Sequence, residues 1–446
     1  MSKQHSQSDQ SQSISSRMDR RQFLKSTAFA GAGLALAACA APVAPAAPTT
    51  STGGEAAAPV LEGTVNYWHH FTSETEFKGM ERVIALFKEQ YPDIEVVQEN
   101  IPNADFMAKF TAAVQANSRP DTSMISSDRL PDMVAMGGLV DLTERINNWE
   151  LQEYFPANRW EGITMDGKLY GIPAFTFVDW AYYRKDWFEE AGIAGPPTTL
   201  DEFLDAAIKL TDPAQGRYGF GMRAGDGGHG FVIDMIEAFG SPIVVDGQPA
   251  IDRAKAIDAV RFWSDLYTVH KVVPPSAPND SYRQIMEGFK TGQTGMVWHH
   301  TGSLTEIQGA LTGDQFATAV KPAGPAAHIV RLSYLYNGLM KEDNADASWA
   351  WVQFWGETDP AIAFLEETGY FPASEAVATD ERITSNPFYG AAVETLKIGI
   401  LPVSFIGAAG WGRNVVMPAC QKVLVGDATV EEAVDEMIKG LEETMA

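Results

Sequence analysis

Between Gly63 and Ser126 the spacing of apolar positions changes repeatedly, and each change marks an element. Gly63–Phe71 alternates, with Val65 and Tyr67 set against Asn66 and Trp68, which predicts a short strand. Glu74–Tyr91 carries Phe77, Met80, Ile84, Phe87 and Tyr91 at helical spacing and stops at Pro92. Ile94–Gln98 predicts a second strand and Thr122–Ser126 a third. Between them Phe106, Phe110, Ala113 and Val114 share one face of a second helix. Strands alternating with helices predict an α/β fold with a parallel sheet wrapped by helices. Ligands of such sheets bind beyond the carboxyl ends of the strands. That rule points to Trp68-His69-His70-Phe71 and to Ser126-Ser127-Asp128-Arg129.

The stretch Gly167–Trp187 breaks the alternation. It opens on the turn dipeptide Asp166-Gly167 and runs extended through Tyr170, Phe175, Phe177 and Trp180 with no steady period. Two structures suit it: a crossing between two folded bodies, with rings facing a cleft, or an aromatic-rich edge strand. Further on, Thr199-x-x-Glu202 predicts a capping box opening the helix Leu200–Leu210. The glycine-rich stretch 219–230 carries Arg223, Asp226 and His229. Its Gly219-Phe220-Gly221 has no further glycine at dinucleotide spacing and reads as a turn. A long helix is predicted over Asp252–His270. Gly295–His300 reads as a strand ending in polar aromatic groups, and Tyr334–Gly338 as a return crossing that includes Tyr336. Trp351 and Trp355, four apart, suit helix packing. Thr429-x-x-Glu432 caps a terminal amphipathic helix.

Composition narrows the class. The 446 residues have the apolar and charged fractions of a globular protein and a formal charge of −25. Residues 1–38 hold five Lys/Arg and two acids, so removing them leaves 28 basic residues against 56 acidic ones, a charge of −28. A surface that acidic repels nucleic acid and anionic headgroups and suits a monomer. Before the folded part, Asp19-Arg20-Arg21-Gln22-Phe23-Leu24-Lys25 and the mild apolar run after it resemble a twin-arginine export signal. Leu36-Ala37-Ala38-Cys39 resembles a lipoprotein processing box, with Cys39 as the lipidated residue; residues 39–60 read as a flexible tether. The only other cysteine, Cys420, lies in an apolar run and reads as a buried small hydrophobe.

No G-x-S-x-G, H-E-x-x-H, C-x-x-C or P-loop spacing occurs, and no cofactor is expected. Acids are too numerous for a catalytic carboxylate pair to be picked out, which leaves a secreted carbohydrate-active enzyme open. Five histidines (His69, His70, His229, His299, His300) fall in loops placed at the cleft. Adjacent residues on an extended chain point opposite ways, so each His-His pair offers one inward ring at most. Hydrogen bonding to a polar ligand and plain packing therefore weigh more than metal binding, and no metal site is expected.

Several segments together resemble family 1 extracellular solute-binding proteins of ABC importers. They are FKEQYPDIEVV (87–97), Pro120-Asp121 with SSDRLPDMVAMGGLVDLTERI (120–146), GKLYGIP (167–173), YYRKDWFEEAGIAGPPTTLDEFLDAAIKLT (182–211), FKTGQTGMVW (289–298), GYFPASEAV (369–377) and GDATVEEAVDEMIKGLEE (426–443). The resemblance covers nearly all of residues 61–446. It implies a two-lobe type II periplasmic-binding fold, each lobe a sheet flanked by helices, joined by crossing strands and closing by hinge motion. The implied lobes are 61–174 with 337–380, and 175–336 with 381–446. It implies a carbohydrate, mono- or oligosaccharide, as ligand, permease subunits as partner, no catalysis, and an extracytoplasmic location. By position, Asp128-Arg129 matches a step that binds sugar hydroxyls in the family's sugar receptors. Trp411 falls where an aromatic stacks on the sugar, and Phe177 where those receptors have a carboxylate. Rings suit a sugar's C–H face and forked polar groups its hydroxyls. The expected contacts are thus Trp68, Asp128, Arg129, Phe175, Phe177, Trp180, Trp298, Trp411 and Arg413, with Phe71, Arg223, Asp226, Tyr336 and the five histidines around them. A receptor for an anionic or phosphorylated solute, using Arg129, Arg223, Arg413 and protonated histidines, is the other binding class.

Overall fold

The computed structural model describes residues 61–378 and 380–446. The arginine pair, Cys39 and the tether lie outside the described residues. The first strand β1 (Gly63–His69) leads into helix α1 (Glu74–Gln90), β2 (Ile94–Asn100), α2 (Phe106–Gln115) and β3 (Thr122–Ser126). Helix α1 starts at a full capping box: Ser73 Oγ accepts from Glu76 N, and Glu76 Oε2 accepts from Thr72 N and Ser73 N at 2.7 Å. Its buried row is Glu76, Gly79, Met80, Val83 and Phe87, while Phe77 is exposed. The predicted stripe is therefore rotated, because α1 packs on the helix Thr358–Thr368 through Gly79, where a Cβ would press on Phe364.

The crossing strand β4 (Ile172–Arg184) organises the rest. Helix α3 (Leu200–Leu210), β5 (Tyr218–Gly221), α4 (His229–Ala238), α5 (Arg253–Thr268), β6 (Thr294–His300) and β7 (Phe316–Ala319) follow. Strand β8 (Leu332–Leu339) then returns, before the C-terminal helices α6 (Met417–Val425) and α7 (Val430–Met445). The nine-stranded sheet has the order β2-β1-β3-β8-β4-β6-β5, with β7 and Phe371–Pro372 also paired to β4. Pairs β1/β2, β1/β3 and β5/β6 are parallel; β8 runs antiparallel to β3 and β4, and β6 and β7 antiparallel to β4. Gly219-Phe220-Gly221, read as a turn, is part of β5. Helix α3 lies so close that a Cβ at Gly219 would overlap the Ala207 backbone, so these glycines serve strand–helix packing. At Thr199 only half of the predicted box forms, because Glu202 reaches back to Thr198 N instead.

Strand β4 changes partner in mid-course. Through Val178 it pairs with β8, and from Asp179 onward with β6. Its even-numbered side chains Val178, Trp180 and Tyr182 lie in one core that runs past the change without a break. On the other face Phe175 belongs to a second core with Trp351 and Phe364, and Ala181 to a third with Trp263 and Trp298. Between those two cores stand Phe177 and Asp179, both half-buried. One side of the strand is a continuous backing and the other opens into a gap.

Candidate functional site

Period-two alternation along β4 puts Asp179 on the gap side with Phe177 and Trp180 on the opposite side. Asp179 lines a cavity of about 240 Å³ with Arg223, His229, Phe231, Asp234, His299, His300, Arg331, Ser333, Pro402 and Val403. Among the described residues only Lys321 Nζ comes within ion-pair distance of the Asp179 carboxylate, at 4.0 Å. Burial pushes that carboxyl up to about 6, against the pull of Lys321. Asp234, beside it, is fully engaged: Oδ1 accepts from Arg331 Nε at 2.7 Å and Oδ2 from Lys321 Nζ at 3.1 Å. Burial opposes the charge of Asp234, but those two cations hold its carboxyl below the usual range. Arg331 also pairs with Glu237 and donates to Leu401 O at 2.7 Å, tying the 401–408 segment to the cavity wall.

The histidines here are neutral. Burial brings His300 to about 3 and His229 to about 4, and takes His299 well below its ordinary value; nearby Arg223 adds to each. His300 Nδ1 accepts from Gly302 N at 3.1 Å, so the neutral ring carries its proton on Nε2 as a donor. His299 and His300 both line the cavity, their ring centroids 4.0 Å apart. The expectation of one inward ring per pair fails here because β6 ends at His300, which caps the 3₁₀ turn Thr301–Ser303. Arg223 donates from Nε to Asp226 O at 2.6 Å across Gly227, whose φ of +84° and missing Cβ make room for the guanidinium. His229 packs on Gly412, and Arg413 beyond it pairs with Asp226 at 3.3 Å. Phe177 closes the floor of the gap, 4.6 Å from the His300 ring and 4.5 Å from Tyr370.

The structure thus gathers Arg223, His229, His299 and His300 at the cavity, with Phe177, Asp128, Asp226 and Arg413 near it; Asp128 is close enough to raise the proton affinity of His229. Other expected contacts lie elsewhere. Trp68, Phe71, Phe175, Trp180, Trp298 and Tyr336 are packed in the cores. Trp411 is buried too, with Nε1 donating to Met437 O at 3.0 Å, so it braces α7 instead of facing the gap. Buried His69 is bound to Gln98 at 3.0 Å, and His70 stands over Phe106 on the α2 side. Arg129 spends its guanidinium on Asn103 and on the face of Phe106. Two residues on from Phe177, on the same face of the strand, Asp179 puts a carboxylate in the cavity lining. The sequence held that signal, since Phe177 and Asp179 must share a face and Trp180 cannot join them. Asp234, Phe231, Arg331 and Ser333 carried none. Among the described residues no three His, Cys, Asp or Glu converge as metal ligands, and no helix is long and apolar enough to cross a membrane.

Residues 71–361 match the sequence pattern of the bacterial extracellular solute-binding proteins. The chain belongs to that family. A mannitol-binding protein of Pseudomonas aeruginosa is 25% identical over 348 residues, covering 71% of this chain and 76% of its own length. The two-lobe fold recurs in a solute-binding protein of Thermotoga lettingae bound to α-D-tagatose, with a TM-score of 0.77 and 22% identity over 86% of this chain and all of that one. It recurs again in the GacH receptor of Streptomyces glaucescens, solved with acarbose, with a TM-score of 0.78 and 19% identity over 86% and 99% of the two chains. Members of this family are extracytoplasmic binding proteins, so the gap between the lobes of this solute-binding protein is its candidate ligand site.

Proposed function

We propose that this protein captures a neutral carbohydrate or polyol in the gap at Asp179 and delivers it to the permease of an ABC importer without chemical change. We place the lobe boundaries at Val178/Asp179, where β4 changes partner, and at Arg331/Leu332, where β8 begins. Lipid on Cys39 would hold the receptor at the membrane. One observation carries this reading: an accessible carboxylate, a guanidinium and neutral imidazoles converge in a cavity of about 240 Å³ beside the ring of Phe231. Carboxylate and imidazole accept and donate to hydroxyls, and the ring covers a C–H face. An anion would meet the Asp179 carboxylate, and burial keeps the histidines beside it neutral. A hydrolase would need a second free carboxylate facing Asp179 in the cavity, and the other acid in its lining, Asp234, is consumed by its ion pairs. Closure follows from the difference in affinity between closed and open lobes.

The test is a thermal-shift screen of hexoses, hexitols, disaccharides and sugar phosphates. A ligand held by the native state alone adds about 2.7 kcal/mol at a hundred times its Kd. A shift with neutral sugars or polyols is expected. A response confined to sugar phosphates, or none at all, overturns the proposal.

A further inference from the structure

The gap has a second compartment of different chemistry. A cavity of about 370 Å³ shares Pro402 with the first and is walled by Ser127, Leu130, Pro131, Gly162, Met165, Leu401, Phe405 and Ile406. The polar groups on it are largely spent. Ser404 Oγ donates to Ser127 O at 3.0 Å, and Thr164 Oγ1 donates to Trp160 O at 2.7 Å. Glu161 is the one carboxylate on its wall. Gly162 on this wall packs directly against the Tyr336 hydroxyl, which a Cβ would overlap. A second sugar ring needs several donors and acceptors around it, and leaving its hydroxyls unpaired costs about 1–3 kcal/mol each. This compartment offers aliphatic and aromatic surface instead, which rewards an apolar group.

We infer that the ligand is amphiphilic: a single sugar or polyol unit at Asp179 bearing an apolar substituent that passes Pro402 into the compartment at Leu130, Met165, Phe405 and Ile406. The inference rests on the reading of the Asp179 cavity as the sugar site. The test is calorimetric titration of the native protein with matched methyl and phenyl glycosides of the sugars that score in the thermal screen. The phenyl glycoside is expected to bind about tenfold more tightly, a difference of about 1.4 kcal/mol. Ile406→Ser, at a residue already 54% exposed, and Met165→Ser should both bring that ratio back towards one. Equal or weaker binding of the phenyl glycoside, or a ratio unmoved by both variants, overturns the inference and leaves the sugar site standing. Failure of every sugar and glycoside to bind instead removes the site it rests on.

Discussion

The carboxyl of Asp179 sits where stability and binding pull in opposite directions. In the unfolded chain it titrates near ~3.9; in the fold, burial raises it to about 6, so the native state binds its proton more tightly. A raised acid works in the reverse sense from a salt-bridged one: its contribution is fully present below pH 4 and is lost as pH climbs to about 6. The gap of about two pH units corresponds to about 2–3 kcal/mol of native stability forfeited at neutral pH, because the ion is held in a partly dry site. Asp179→Asn removes the charge and keeps the shape. Chemical denaturation of both proteins at pH 8, 6 and 4, without ligand, measures the difference. The variant should be more stable by about 1–3 kcal/mol at pH 8, with the advantage fading towards pH 4, and should bind sugar far more weakly. Subtracting one protein from the other cancels every other titrating group. A variant no more stable than the native protein at pH 8, or an advantage that does not shrink on acidification, would refute the reasoning.

If the ionised form of Asp179 alone binds, affinity drops about tenfold between pH 7.5 and pH 5; an anion receptor with protonated histidines shows the opposite trend in the same titration. Trp411→Ala should cost about 3–5 kcal/mol of folding stability through the lost core ring and its hydrogen bond to Met437 O. Its sugar Kd, measured below the melting transition, stays near that of the native protein, and a large rise in Kd would return the residue to the site. Gly412→Ala places a Cβ 2.6 Å from His229 Cδ2 and displaces the ring. Affinity then weakens about threefold to tenfold with the fold intact, the scale of one hydrogen bond, as read by calorimetry and circular dichroism.

Period and capping alone marked the early strands and helices, the long helix of residues 252–270 and the terminal helix, because these depend on neighbours within a few residues. The extended run in Gly167–Trp187 was also visible, but its residues alone left open whether it crosses between two bodies or edges a sheet. What chain order could not settle was which rings face ligand. Trp180, Trp298 and Trp411 have the same local character as Phe231, and only packing against elements far along the chain separates core from gap. Asp234 looked like any other acid among dozens until the fold brought Lys321 and Arg331 to it across 87 and 97 residues. Local propensity is written in adjacent residues, whereas burial and proton affinity belong to groups that meet only when distant strands pair along β4. The chain by itself determined the elements, and its resemblance to solute-binding proteins implied the two lobes; the tertiary structure paired Asp234 with Lys321 and Arg331 and left Asp179 lining the cavity.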